Sequence, residues 1–345
     1  MFRKAAKKTA QSGAKLDIKR HEHAYGGKRH KIGYLEYRDQ SSSHLIVVLS
    51  GFNGRETAGA PAKYNYMRTL QDIQINKLFI KDEVDNVPVY YLGTDNTTSY
   101  LDDVCSLVEE KLAAMGVDRE QLIIAGSSKG GTGALMIGLR LGAGHIIAGA
   151  NQLDVGSYLD SLNADLRKLL LERIMGDDGP EAVGALDRKV RELILSPEVS
   201  GSLYFHAGNK DAHYYQHMVP MLRHFDENDV LYELDLRSYT GHDNVKYYFP
   251  EFFVRKVKEI IVRTYLETPE ITPSGDGTAI KVKVANPVEG ADWAVYAYGK
   301  AKQPHKVMYD VQEDITVPVP YDELRMIKVF LRVNGEKKQV KEFKK

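Results

Sequence analysis

The stretch Gln121 to Arg140, QLIIAGSSKGGTGALMIGLR, constrains the fold of this chain more than any other. Leu122 to Ala125 is a short apolar run, suited to a strand buried on both faces. The run breaks at Gly126-Ser127-Ser128-Lys129-Gly130 and resumes as a helical pattern from about Gly131. Strand, G-x-S-x-G and helix in that order predict a sharp turn whose apex side chain stands clear of the sheet. Glycines two positions either side of the apex omit Cβ atoms that would collide with the neighbouring strand and helix. Ser128 is the apex and therefore a candidate nucleophile. The following helix aims its N-terminal amides at the place where an oxyanion would form.

The elements around this stretch predict an α/β class. Strands are expected near Leu16 to Arg20 and Lys31 to Tyr37, with Gly26-Gly27 as a hairpin turn between them. His44 to Ser50 and Val87 to Gly93 read as buried strands, whereas Asn65 to Ile80 settles on no single period. Ser99 opens a helix with Leu101, Val104, Cys105, Val108, Leu112 and Met115 on one face. Further strands are expected at His145 to Ala150, Ser202 to His206 and Val230 to Leu236. Helices are expected at Tyr214 to Phe225 and Phe252 to Leu266. Alternation of strand and helix implies a doubly wound, mostly parallel sheet.

Two segments depart from that alternation. Residues 151–201 carry two amphipathic runs, Leu159 to Leu170 and Ala185 to Ile194, and read as a helical cap inserted at the sheet's carboxyl edge. Beyond Leu266, TPEITPSGDG reads as a linker over 267–277. From 278 to 345 the apolar period becomes two, with Ile280, Val282, Val284 and later Ile327, Val329, Leu331, Val333. That pattern predicts a small β-sandwich of the immunoglobulin or fibronectin kind. The main domain is then 1–266.

Composition excludes several function classes. Lys+Arg and Asp+Glu balance at 47 each, so no global field attracts nucleic acid. No stretch approaches the roughly 18 apolar residues of a membrane span, and the basic N-terminus lacks the apolar core of a secretory signal. A single cysteine, Cys105, sits in the apolar stripe of its helix and leaves no intrachain disulfide framework. The expected location is cytoplasmic.

A serine nucleophile needs a base, and the base needs an orienting carboxylate. The strand from Ser202 runs into a loop ending at Asp211, and the strand from Val230 into a loop holding His242 after Gly241. Ser, Asp, His is an order that such sites use. Asp154, after the strand at Ala150, is the alternative carboxylate, and Asp243 lies too near His242 in sequence. Asp211 has a second reading as a cap for the helix at Tyr214. His213 and His217 have the i, i+4 spacing of a metal pair, but no glutamate or third ligand accompanies them, so no metal is assigned. GSSKGGT lacks a lysine directly before the Thr and is no phosphate loop. Gly51-Phe52-Asn53-Gly54, following the strand at His44, is either a plain βα turn or the loop carrying a second oxyanion donor.

GSSKG, the Asp211-Ala212-His213 loop and the Gly241-His242-Asp243 loop together resemble the α/β-hydrolase superfamily over roughly residues 15–266. Within it, YNYMRTL, NKLFI and YYLGTDN, with the trailing β-module, resemble bacterial proteins of the XcbB/CpsF capsule-locus and accessory-Sec glycan O-acetyltransferase type. The resemblance implies a serine enzyme acting on acyl groups of a surface glycan or glycoprotein, without a cofactor. It assigns Ser128, Asp211 and His242 as triad and the backbone amides of Phe52 and Lys129 as oxyanion hole. Ser50-Gly51 departs from the His-Gly frequent before the first of these donors. Asn53 and Arg55 are expected to touch substrate, with Arg55 and Lys129 favouring an anionic one. A protein partner for the β-module and a non-catalytic scaffold role are the expectations that compete with catalysis alone.

Overall fold

The computed structural model describes residues 18, 20–40, 42–52, 61–262, 264–301 and 303–344, and divides into two compact units, 1–256 and 257–345. The first unit is built on an eight-stranded sheet. Its strands are β1 (Glu22–Gly26), β2 (Lys31–Tyr37), β3 (Leu45–Leu49), β4 (Asn76–Ile80), β5 (Leu122–Ser127), β6 (His145–Gly149), β7 (Ser202–Lys210) and β8 (Tyr232–Thr240). Their spatial order is β1-β2-β4-β3-β5-β6-β7-β8. β1, β2 and β4 pair antiparallel, and every pair from β4 to β8 is parallel. Every residue of β3, β5 and β6 is buried. That explains why those strands read as unbroken apolar runs rather than as alternation.

The α-helices lying wholly within the described residues are α1 (Ser99–Met115), α2 (Lys129–Leu141), α3 (Val155–Asp160), α4 (Ala164–Met175), α5 (Pro180–Leu195), α6 (Val219–Glu227) and α7 (Val245–Ile261). The inserted segment after β6 supplies α3 to α5. Its leucine stripes, Leu166, Leu170, Leu171, Leu186, Val190 and Ile194, are buried in one cluster with the sheet's apolar residues. Asp160, Asn163, Asp165 and Lys168 stay exposed.

Several expected elements are corrected. The first strand is Glu22–Gly26 and not Leu16 to Arg20; Ile18 and Arg20 are helical, and Leu16, Asp17 and Lys19 lie outside the described residues. The strand near residue 80 comes from NKLFI. VPVYYLG, in contrast, is a buried loop. Tyr90 and Tyr91 have φ of 53° and 58°, which no strand accommodates. Their surroundings replace the missing ladder with a side chain: Asp82 Oδ1 accepts from the amides of Val89 at 3.3 Å and Tyr91 at 3.0 Å. The apolar composition there reflects burial rather than pairing. The last helix ends at Ile261, and Tyr265–Leu266 is a short strand, β9.

The second unit adds β10 (Glu270–Ser274), β11 (Gly277–Lys281), β12 (Val284–Ala285), β13 (Ala291–Tyr298), β14 (His305–Asp310), β15 (Asp314–Val317), β16 (Met326–Val333) and β17 (Glu336–Lys344). With β9 they pair antiparallel, in the orders β10-β11-β15, β12-β9 and β14-β13-β16-β17. Ile280, Val282, Trp293, Val295, Ile315, Val317, Ile327, Val329 and Leu331 form its own core. The expected linker is partly strand: Glu270–Ser274 (β10) pairs with Gly277–Lys281 (β11), and Asp276 lies in the turn between them. Two prolines and a Ser-Gly-Asp-Gly run gave this stretch the composition of a linker, yet a hairpin edge tolerates both.

Candidate functional site

The site lies at the carboxyl ends of the parallel strands. The chain leaves β3 for β4 on one side and returns to β5 on the other, a switch point that opens a crevice. Ser128 follows β5 there and caps α2 with φ 53° and ψ −127°. Such a conformation costs a non-glycine residue about 1–3 kcal/mol, so it persists only where the surroundings enforce it. They do. A Cβ at Gly126 would fall 2.3 Å from Gly130 O, and one at Gly130 2.6 Å from Leu49 O. The elbow is thus pressed against β3, and only glycine fits at either side.

β7 and β8 are neighbours, and their ends deliver the other two residues side by side. Lys210 pairs with Thr240, Asp211 follows the first strand, and Gly241, with φ 77°, turns the chain into His242 after the second. His242 Nε2 lies 2.7 Å from Ser128 Oγ, and His242 Nδ1 lies 3.1 Å from Asp211 Oδ2. The other Asp211 oxygen accepts the His213 amide at 3.0 Å. Burial alone would push the Asp211 carboxyl up, but the hydrogen bond and charge of His242, with the His213 amide, hold it below the usual range. Asp211 is therefore an ionised, nearly inaccessible carboxylate against an imidazole whose side chain is 24 % exposed.

The structure thus brings Ser128, His242 and Asp211 into one hydrogen-bonded line. Asp154 stands elsewhere: its carboxylate takes Arg191 Nε at 2.5 Å and Nη2 at 2.8 Å. Phe52 lies in the loop after β3, half-buried against the core, with the Gly51 amide held by Asn65 Oδ1 at 3.0 Å. Asn53 and Arg55 lie outside the described residues. Lys129 opens α2, so its amide belongs to that helix's positive end.

The Lys129 side chain corrects an expectation. It does not face substrate but runs into the core, fully buried, with Nζ 2.9 Å from the equally buried Asp82 carboxylate and 5.8 Å from the Tyr91 ring centroid. It therefore lends no preference for an anionic substrate. A lone charge at such depth costs about 3–5 kcal/mol, so each partner holds the other in place. Asp82 follows β4 and also organises the Val89 to Tyr91 loop. The pair therefore ties the residue after Ser128 to the far side of the crevice. Tyr66 steadies the residue before it, with its hydroxyl 2.5 Å from Ser127 Oγ and its ring against Phe249 and Phe253.

Two residues that sequence reasoning did not place in the site are there. Gln152, fully buried in the loop after β6, puts Nε2 3.0 Å from Ser128 Oγ. The His213 ring lies against His242 with centroids 3.7 Å apart and the planes tilted by 34°. Nothing in a lone glutamine could have flagged the first, and the i, i+4 spacing drew His213 toward a metal reading instead. Asp211, His213 and His242 do place ligand atoms within 4.8 Å of one another. A cation there would have to compete for the His242 nitrogens that already face Ser128 and Asp211.

Burial, and then the charge of His242, lower His213 to about 3; burial lowers His44, at the start of β3, to about 4. Both folded values lie below the unfolded value of about 6.5, so the unfolded chain binds more protons between them. The stability these histidines permit is complete above about pH 6.5 and falls as pH drops toward 4. Each should lose about 2 kcal/mol between pH 7 and 5. Urea unfolding at the two pH values checks this, and a midpoint independent of pH contradicts it.

A mostly parallel sheet, an elbow serine after β5, a histidine and an aspartate after later strands and a helical insertion after β6 together define the α/β-hydrolase fold. Three solved structures, of two proteins, share that fold. The capsule O-acetyltransferase of Neisseria meningitidis serogroup A superposes with a TM-score of 0.56 at 18% identity, over 69% of this chain and 94% of that one. A structure of its histidine-to-alanine mutant in complex with CoA gives 0.55 at 18% identity, over 68% and 93%. A chain of the Glycosylation Associate Protein (Gap123) complex from Streptococcus agalactiae gives 0.58 at 17% identity, over 70% of this chain and 46% of that one. No protein-family model and no curated protein matches the sequence. At these identities the likeness is one of fold.

Proposed function

We propose that this protein is a serine acyl-transfer enzyme that works on acetyl groups carried by glycan hydroxyls. The observation that carries the reading is the unbroken line from Ser128 Oγ through His242 to Asp211. His242 Nε2 takes the hydroxyl proton as Oγ attacks the acyl carbon. Asp211 keeps the imidazole proton on Nδ1 and stabilises the imidazolium. The amides of Phe52 and Lys129 receive the oxyanion. His242 returns the proton to the leaving group. A second hydroxyl, of water or of a sugar, then resolves the ester by the same route.

The glycan part rests on two supports. One is the shared fold with an enzyme that O-acetylates a capsule and has been solved with CoA, which makes a CoA thioester a reasonable donor class. The other is the cap. Tyr158 of α3 packs edge-on 5.2 Å from the His213 ring, so the insertion reaches the site, and its leucines face inward while its outer residues are polar. That surface suits a wet cleft better than an apolar lid. The second unit, with its own core, is the candidate surface for a protein partner, a reading favoured by the likeness to a chain of a glycosylation-associated complex. A reducing, cytoplasmic setting agrees with Cys105, a buried thiol pushed up to about 12. No described helix is long and apolar enough to cross a membrane.

A chain-length series of p-nitrophenyl esters, together with a fluorophosphonate probe, tests the reading. Labelling at Ser128 and rates highest on acetyl esters are expected. No labelling would leave a scaffold, and rates peaking on long chains would indicate a lipid esterase.

A further inference from the structure

We propose that Gln152 is a catalytic residue, whose side-chain N–H donates to Ser128 Oγ and stabilises the negative charge that develops on that atom. The inference rests on the serine acyl-transfer reading above. Ser128 Oγ has two side-chain neighbours with different chemistry. His242 Nε2, at 2.7 Å, can take the hydroxyl proton. Gln152 Nε2, at 3.0 Å, has no lone pair to accept it and can only donate.

The amide is held in that orientation. Its Nε2 also lies 3.4 Å from His213 Nδ1, and its Oε1 lies 3.2 Å from Thr132 Oγ1. A flipped amide would turn its oxygen toward both Ser128 and His213 Nδ1. Burial, then the charge of His242, holds the His213 ring below its ordinary range, and in the tautomer with Nδ1 unprotonated that nitrogen accepts from Gln152 Nε2. The backbone is fixed as well: the Gln152 amide donates to Thr132 Oγ1 at 2.9 Å, and the Thr132 hydroxyl donates to Gln152 O at 2.9 Å. Thr132 stands in the first turn of α2, so the helix that follows the nucleophile also positions the donor.

The chemistry gives that donor a use at two moments. In acylation the Oγ–H bond breaks, its proton passes to His242, and the Oγ pair forms the bond to the acyl carbon. The carbonyl pair moves to the oxyanion, and collapse expels the leaving group with the proton from His242. In the second half an acceptor hydroxyl attacks the ester and gives its proton to His242. The C–Oγ bond then breaks, its electron pair returns to Oγ, and His242 restores the hydroxyl proton. Oγ is richest in electrons as its proton departs and as the ester bond breaks. In the intervening ester it is a poor acceptor. A fixed N–H at 3.0 Å is therefore stronger in the transition states than in the ground states, which is what accelerates a step.

Gln152→Met keeps the side chain's length and burial without the donor. Wild type and variant are compared by fluorophosphonate labelling and by burst and steady-state hydrolysis of p-nitrophenyl acetate. Expected are complete labelling of both proteins, slower in the variant, a kcat lowered about tenfold to a hundredfold and KM within about threefold. Gln152→Glu, of the same shape, guards against misfolding of the first variant and should be slowed at least as much. A kcat within twofold of wild type in either folded variant, or an effect confined to KM, overturns the proposal. Wild type that fails to label at all overturns the acyl-transfer reading and this inference with it.

Discussion

Ser128→Ala is expected to remove turnover by about 10⁶-fold, the scale at which loss of the nucleophile alone acts in a serine hydrolase, while leaving the fold intact. Ser128 contributes little packing that alanine would lose: its side chain projects from the elbow toward His242 and Gln152 rather than into the core. Alanine takes the same strained φ of 53° without new contacts. The enforcing geometry, Gly126 against Gly130 and Gly130 against Leu49, is untouched. The measurement is p-nitrophenyl acetate hydrolysis alongside a thermal melt. Activity within about tenfold of wild type refutes the role of Ser128, and a collapsed melting transition refutes the claim that the site and the core are separable there.

Asp211→Asn is expected to lower kcat by about 10⁴, as the same change does in a serine protease triad. An asparagine can offer its NH₂ to His242 Nδ1. The imidazole then carries its proton on Nε2, facing Ser128, and has no lone pair there for the hydroxyl proton. Asp154→Asn should leave kcat within a few-fold, because that carboxylate is engaged by Arg191 in the cap, whereas His242 Nδ1 faces Asp211. Parallel kinetics of the two variants decide the matter. A large loss for Asp154→Asn beside a small one for Asp211→Asn would move the acid to the loop after β6.

Much of this arrangement is legible in the amino-acid order because α/β sheets place loops predictably. Once Leu122 to Ala125 is a buried strand and Ser128 its elbow, later apolar runs must end at the same edge. The loops at Asp211 and His242 then meet by topology. Side chains whose role depends on what they touch are not legible in this way. Gln152 is a glutamine in an ordinary loop until β6 sets it beside β5. Lys129, between a serine and a glycine, has the look of a solvated lysine. Its counter-ion lies 47 residues earlier, after a strand whose apolar residues follow no clear period. Tyr90 and Tyr91 misled for a related reason: buried backbone needs hydrogen-bond partners, and a single carboxylate can supply them as a strand does.

The sheet order carries one more consequence. β8 is an edge of the eight-stranded sheet, pairs with β7 alone among the described residues, and exposes Glu233, Arg237 and Ser238 along its length. His242 hangs from this outermost strand, whereas Ser128 hangs from one of the innermost. Edge elements open with a smaller free energy than the core beneath them. On the proposed reading, catalytic competence and global folding are then governed by two different equilibria, and fraying that detached β8 would silence the chemistry while leaving nearly all of the protein native.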